Sequence, residues 1–183
     1  LSRERVCAEA EKTLLSPRPE TLSVMLREGL LAACGIEGDY ELHALKTVSA
    51  EADARWAMLK VLIPKLDMQQ FRLPSRRVQL AETAAAAYRP SYARQELKAL
   101  LAASGEDVAR VCAKLSNQEA LLEEILQSGE CVSLRGLAVN GRDFPALHGK
   151  AAGDMLRRLL DYVLLHPEKN NRQTLLRLAE EGG

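Results

Sequence analysis

Apolar residues recur at every third or fourth position along most of this chain, a spacing that places them on one face of a helix. Val6, Ala10 and Leu14 show the pattern near the start, and Ser2 stands at the capping position before them. No segment alternates apolar and polar residues over a useful length, as a half-buried strand would. The pattern therefore predicts an all-α fold, a helical bundle of about eight to ten short-to-medium helices.

Short segments rich in proline, glycine and polar residues separate the predicted helices. Examples are "SPRPE", "RPS" and "HPEKN", and a helix that Ser49 opens is expected to end at Pro64. The strongest hinge candidate runs from Gly129 to Leu134. We therefore expect a larger N-terminal bundle, residues 1–130, and a small C-terminal tail bundle, residues 131–183.

Composition supports a helical protein, and the balanced charge favours no particular class of binding partner. Aromatic residues make up only 4% of the chain, and Leu, Ala, Glu and Arg are abundant, which favours helices over sheets. The 25 basic and 25 acidic residues balance, although basic ones concentrate between Arg72 and Lys98.

The 4 cysteines are scattered without a Cys-x-x-Cys pair, which indicates reduced thiols in a cytoplasmic protein and gives a zinc site no support. No signal peptide or membrane-length apolar run is visible, so we expect no membrane partner.

The segment "VNGRDFPALHGKAAGDMLRRLL" contains a Gly-Lys pair before a leucine-rich helix. It is not a Walker-type phosphate loop, because Gly141 lies too far from Gly149 and Ala151 occupies the hydroxyl position. Two interpretations remain open. The helix start at Gly149 and Lys150 could bind a phosphate through free amides and positive charge, or Gly149 and Gly153 could permit close helix packing.

The residues reveal no catalytic group by themselves. Acidic side chains stand among arginines and lysines at helical spacing, which is typical of surface ion pairs. The sequence contains no adjacent His-Asp pair, no nucleophile elbow and no Asp-x-Asp pair for a two-metal centre. Taken alone, the residues predict a helical domain without a visible active site.

Two segments contain residue patterns beyond helical periodicity. The first, "SRERVCAEAEKTLLSPRPETLSVMLREGLL", follows Ser-x-Glu-Arg-(Ile/Val)-x-x-Glu, a proline break and a helix ending Gly-Leu-Leu. The second, "LAVNGRDF" to "LLRLAEE", has Gly-x-Asp, Gly-x-x-x-Gly, a leucine-rich helix and Pro-x-x-Asn. In this order they resemble the class II tRNA nucleotidyltransferases, the bacterial CCA-adding enzymes and their poly(A) polymerase relatives. Matching positions are Ser2, Glu4, Arg5, Val6, Glu9, Lys12, Leu14, Pro19, residues 29–31, Gly141, Asp143, Gly149, Gly153, Leu156, Leu160, Val163, Pro167 and Asn170.

The resemblance implies a C-terminal fragment: the late neck, body and tail of such an enzyme without its catalytic head. The head's Gly-Gly-x-Val-Arg-Asp, Asp-x-Asp and Arg-Arg-Asp signatures do not occur in this sequence. By resemblance, Ser2, Arg5 and Glu9 would brace the neck helix that templates the incoming nucleotide. This chain would hold no catalytic residue, metal or cofactor, whereas the full-length enzyme would use magnesium, CTP and ATP on a head joined to it in the same polypeptide.

The partner that the resemblance implies is tRNA, gripped at its acceptor stem and elbow by shape and backbone. Because Arg157 and Arg158 point about 100° apart on a helix, only one of them is expected to face the RNA. Two alternatives stay open: the same portion of a poly(A) polymerase or partial-CCA enzyme, and a helical protein-interaction domain with no RNA role. The expected RNA contacts are Arg76, Arg77, Gly149, Lys150, Arg157 and Arg158.

Overall fold

The computed structural model describes residues 2–181 of the chain. Within this range the protein is helical and contains no strand, which confirms the predicted all-α fold and the expected number of helices. A membrane crossing needs a longer and more apolar helix than any that these residues form. The nine α-helices of this range are α1 (Arg3–Leu14), α2 (Leu22–Arg27), α3 (Ala52–Leu62), α4 (Ser75–Ala87), α5 (Arg94–Ser104), α6 (Glu106–Leu115), α7 (Glu119–Gln127), α8 (Lys150–Leu165) and α9 (Arg172–Glu181).

The helices group into two compact units. Unit 1 comprises Leu1–Ser91 and Arg110–Gln118, and unit 2 comprises Tyr92–Ala109 and Glu119–Gly183, so α6 contributes residues to both. The division predicted between residues 130 and 131 lies inside unit 2. The reason is that α5 packs against both α7 and the tail helix α8.

Unit 1 is built around α3, which is buried along its centre from Ala54 to Leu59. Trp56 is fully buried and meets Phe71 edge to face, with ring centroids 4.9 Å apart. The long contact between α3 and α4 places the small residues Ala81 and Ala84 of α4 in the core. Aromatic and aliphatic side chains therefore fill most of the core of this unit.

Arg55 is the charged side chain at the heart of unit 1, and it is only 4% exposed. Its Nη1 donates to the Leu14 carbonyl at 2.8 Å and to the Ser16 carbonyl at 3.3 Å. Its Nε donates to the carbonyls of Val48 at 2.8 Å and Ser49 at 2.9 Å. One guanidinium thus joins the end of α1 to the segment that leads into α3.

Unit 2 has a separate apolar core beneath α8. Lys98 of α5 is 3% exposed, donates to the Leu164 carbonyl at 2.8 Å and forms an ion pair with Glu130. Gln95 donates to the same carbonyl at 2.9 Å, so α5 caps the C-terminal end of α8. The core residues are Cys131, Leu137, Val139, Phe144, Leu159, Leu160, Val163, Leu164, Leu175 and Ala179.

Candidate functional site

The start of α8, a predicted contact site, is exposed. Gly149 occupies the capping position with φ 54° and ψ −122°, a backbone conformation that side-chain-bearing residues rarely adopt. Lys150 follows as the first helical residue; its side chain is exposed and bonds to no group within residues 2–181. The N–H groups of Ala151 and Gly153 already donate to the His148 and Gly149 carbonyls, both at 3.2 Å. An anion at this helix start would therefore depend on Lys150 more than on a full set of free amides.

Neither glycine of this segment marks a close helix contact. A Cβ added at Gly149 or at Gly153 would meet no atom of the described chain within 4 Å beyond its immediate neighbours. The structure therefore gives no support to the close-packing interpretation. The positive φ of Gly149 supplies a different reason for a glycine there, whereas Gly153 has no such requirement.

The two arginines further along α8 point to solvent and have local partners. Arg157 donates to Asp154 at 3.2 Å, one turn earlier on the same helix. Arg158 lies against the thioether of Met155, with 3.3 Å between Nη2 and Sδ. Both side chains are exposed, so they belong to the surface of unit 2. Exposed pairs of this kind are weak and exchange readily with other partners.

Arg76 and Arg77 belong to α4 in unit 1, not to the unit that carries the tail residues. Arg77 donates from Nε to Asp53 of α3 at 2.7 Å, and its side chain is 33% exposed. This contact ties α4 to α3, so Arg77 has a structural role that the sequence did not reveal. Arg76, one position earlier, is exposed.

Ser2, Arg5 and Glu9 lie at the surface on the first turns of α1. Ser2 occupies the capping position but makes no side-chain hydrogen bond to the helix amides. Within residues 2–181, Glu9 forms an exposed ion pair with Lys12 at 3.9 Å. The bracing role that the resemblance implies involves a helix outside this chain, and it stays a prediction.

Four polar side chains fix the segment before α8 through hydrogen bonds. None of them is among the predicted contact residues. Asn170 bridges two backbone groups: its Oδ1 accepts from Ala138 N at 2.9 Å and its Nδ2 donates to the Gly136 carbonyl at 2.9 Å. Arg172 donates to Asp143 Oδ1 from Nη2 at 2.6 Å and from Nε at 3.2 Å. We call these side chains the tail clamp, whose members are Asn140, Asp143, Asn170 and Arg172.

The remaining clamp contacts close a tight turn at Gly141–Asp143. Asn140 Oδ1 accepts from Arg142 N at 3.0 Å, while Asp143 Oδ2 accepts from Asn140 N at 2.8 Å. The hydrogen bonds from Arg172 and from Asn140 N hold the pKa of Asp143 below its usual value. Two patterns in the tail sequence, Asn-Gly-x-Asp and Pro-x-x-Asn, could have indicated the tail clamp, because Asp143 and Asn170 are their final residues.

Unit 1 contains an open cavity of about 340 Å³ between α1 and the turn Met68–Phe71. Arg3 and Arg72 line it together with the carboxylates of Glu4 and Glu11, so its walls carry charges of both signs. Across residues 2–181, no three histidine, cysteine, aspartate or glutamate side chains come together as metal ligands.

No protein-family model, no curated protein and no solved structure matches this chain. The arrangement offers exposed cations beside a hydrogen-bonded turn of the tail, and exposed cations of this kind can bind anions.

Proposed function

We propose that this chain is the tRNA-binding C-terminal portion of a tRNA nucleotidyltransferase that adds or repairs the 3'-terminal CCA. In this proposal the chain binds and positions tRNA, and a catalytic head in the same polypeptide performs the chemistry with magnesium, CTP and ATP. Two segments support the assignment, since the neck-like and tail-like patterns occur in the family's order at opposite ends of a helical chain.

The observation that carries the proposal is the exposed helix start at Gly149 and Lys150. Gly149 is exposed and has no side chain to cover the backbone there, and the ammonium of Lys150 has no partner in the described part of the chain. The positive end of the α8 dipole and the lysine charge favour an anion at the same point. A phosphate of an RNA backbone fits this site because it needs charge and hydrogen-bond donors but no base-specific contact.

Charge limits how tightly the isolated chain should bind. Unit 2 contains ten basic and thirteen acidic residues, a formal charge of −3. Phosphate contacts supply most of the affinity of sequence-independent binding, and they weaken steeply as salt rises. We therefore expect binding that is measurable at low salt and lost at moderate salt, in keeping with a part that works beside a catalytic head.

The test is a titration of labelled tRNA with the chain at two salt concentrations. Lys150→Glu should weaken binding several-fold and reduce the slope of log affinity against log salt by about 1. Lys46→Glu is the matched control, because Lys46 is an exposed lysine in unit 1 and the substitution changes net charge equally. Absent binding by the unmodified chain, or equal effects of the two substitutions, would overturn the proposal.

A further inference from the structure

Unit 2 contains four cations whose side chains bond to no group within residues 2–181: Arg135, Arg142, Lys150 and Lys169. The other basic side chains of the unit have partners, such as Glu124 and Glu130 for Arg94. All four unpartnered cations are exposed. An exposed cation without an internal partner keeps its full charge and all its donors for an external anion.

Three of these cations lie beside the tail clamp. Arg135 precedes Gly136, whose carbonyl accepts from Asn170 at 2.9 Å, and Lys169 immediately precedes Asn170. The hydrogen bond therefore places Arg135 and Lys169 on adjoining residues of two chain segments that are far apart in sequence.

Arg142 has the same relation to the other half of the clamp. It lies inside the Gly141–Asp143 turn, where Asn140 takes its backbone N–H at 3.0 Å, and the next residue, Asp143, is bound by Arg172. The clamp uses the backbone of Arg142 and leaves the guanidinium exposed.

We propose that the clamp gathers Arg135, Arg142 and Lys169 into one basic surface, the basic rim, which contacts sugar-phosphate oxygens of RNA. The inference rests on the proposed function and adds contacts that the sequence patterns did not indicate. Arginine suits this role because its guanidinium binds phosphate oxygens in a bidentate manner. Lys169 contributes least, because the exposed Glu168 precedes it on the same turn.

The experiment compares two triple variants of the whole chain in tRNA titrations across a range of salt. Arg135→Gln, Arg142→Gln and Lys169→Gln together should weaken binding about tenfold and reduce the salt slope by about 2 to 3. The control variant removes the same net charge at exposed positions elsewhere and should bind nearly as the unmodified chain does. It combines Lys12→Gln, Lys46→Gln and Arg177→Gln.

Asn170→Ala tests the arrangement of the basic rim without changing its charge. It keeps the three cations but removes the side chain that joins their segments, so binding should weaken, with circular dichroism verifying the helices. In the triple-variant background Asn170→Ala should add little further loss, since both changes act on one surface.

The outcomes distinguish the two levels of the proposal. Binding that depends on Lys150 but is equal in the two triple variants overturns the basic rim and leaves the proposed function in place. A chain that does not bind tRNA at all overturns both.

Discussion

Replacing Arg55 with alanine should destabilise unit 1 more than any surface substitution. Arg55 donates to four carbonyls, and its bonds to Leu14 and Val48 are fully buried, each 2.8 Å long. A buried acceptor that loses its partner costs about 1 to 3 kcal/mol. The two buried carbonyls therefore predict a loss of about 4 kcal/mol in the free energy of unfolding.

That loss is large against the total stability of a domain, which is about 5 to 15 kcal/mol. Trp56 is the chain's single tryptophan and lies beside Arg55 in the core, so its fluorescence reports the unfolding of unit 1 in urea. Arg55→Lys should give an intermediate loss, because one ammonium keeps the charge but reaches fewer carbonyls.

Arg18→Ala is the matched control, since the Arg18 side chain is 78% exposed and pairs with Glu20 only at 3.9 Å. It should change the free energy of unfolding by less than about 0.5 kcal/mol. A difference of under about 1 kcal/mol between Arg55→Ala and the unmodified chain would show that water or backbone movement satisfies these carbonyls, and it would refute the stabilising role of Arg55.

Two further predictions concern unit 2. The hydrogen bonds from Lys98 and then Arg94 lower the pKa of Glu130. The ionised Glu130 side chain therefore stabilises the fold at pH values above the pKa of about 4.3 that it has in the unfolded chain, and this stabilisation is lost as the pH falls through its pKa in the folded chain. Glu130→Gln should therefore lose less stability than the unmodified chain between neutral pH and pH about 3 in parallel urea titrations; an equal loss would contradict the role of this carboxylate. Gly149→Ala should lower the melting temperature because of its positive φ, whereas Gly153→Ala, in the interior of α8 with open space around it, should stabilise by about 0.5 to 1 kcal/mol. The same sign for both glycines would refute that distinction.

Helix content and several boundaries were predictable because local chemistry sets them. Pro64 lies just beyond the end of α3 at Leu62, as expected from its missing N–H, and Ser75 begins α4. Ser49 was expected to open α3, but the helix begins at Ala52, where Glu51 is the extended capping residue and the Ser49 carbonyl accepts from the Arg55 guanidinium instead.

Contacts between distant residues were not predictable, because no periodicity along the chain encodes them. The bond from Arg55 to Leu14 spans 41 positions and that from Asn170 to Gly136 spans 34. The pairing of Arg77 with Asp53 is of the same kind. At the candidate site, the sequence identified Gly149 and Lys150 but left open whether they pack or stay exposed, and only the surrounding fold decides that question.

Asn170 makes the tail vulnerable to a slow chemical change. Its two contacts need one donor and one acceptor on the same side chain, a combination that an amide has and a carboxylate lacks. Loss of the amide nitrogen by deamidation would leave the acceptor for Ala138 but set a negative charge against the Gly136 carbonyl. The side chain would then repel one of the two segments it now joins, so chemical ageing at a single atom could loosen the tail while every helix stayed intact.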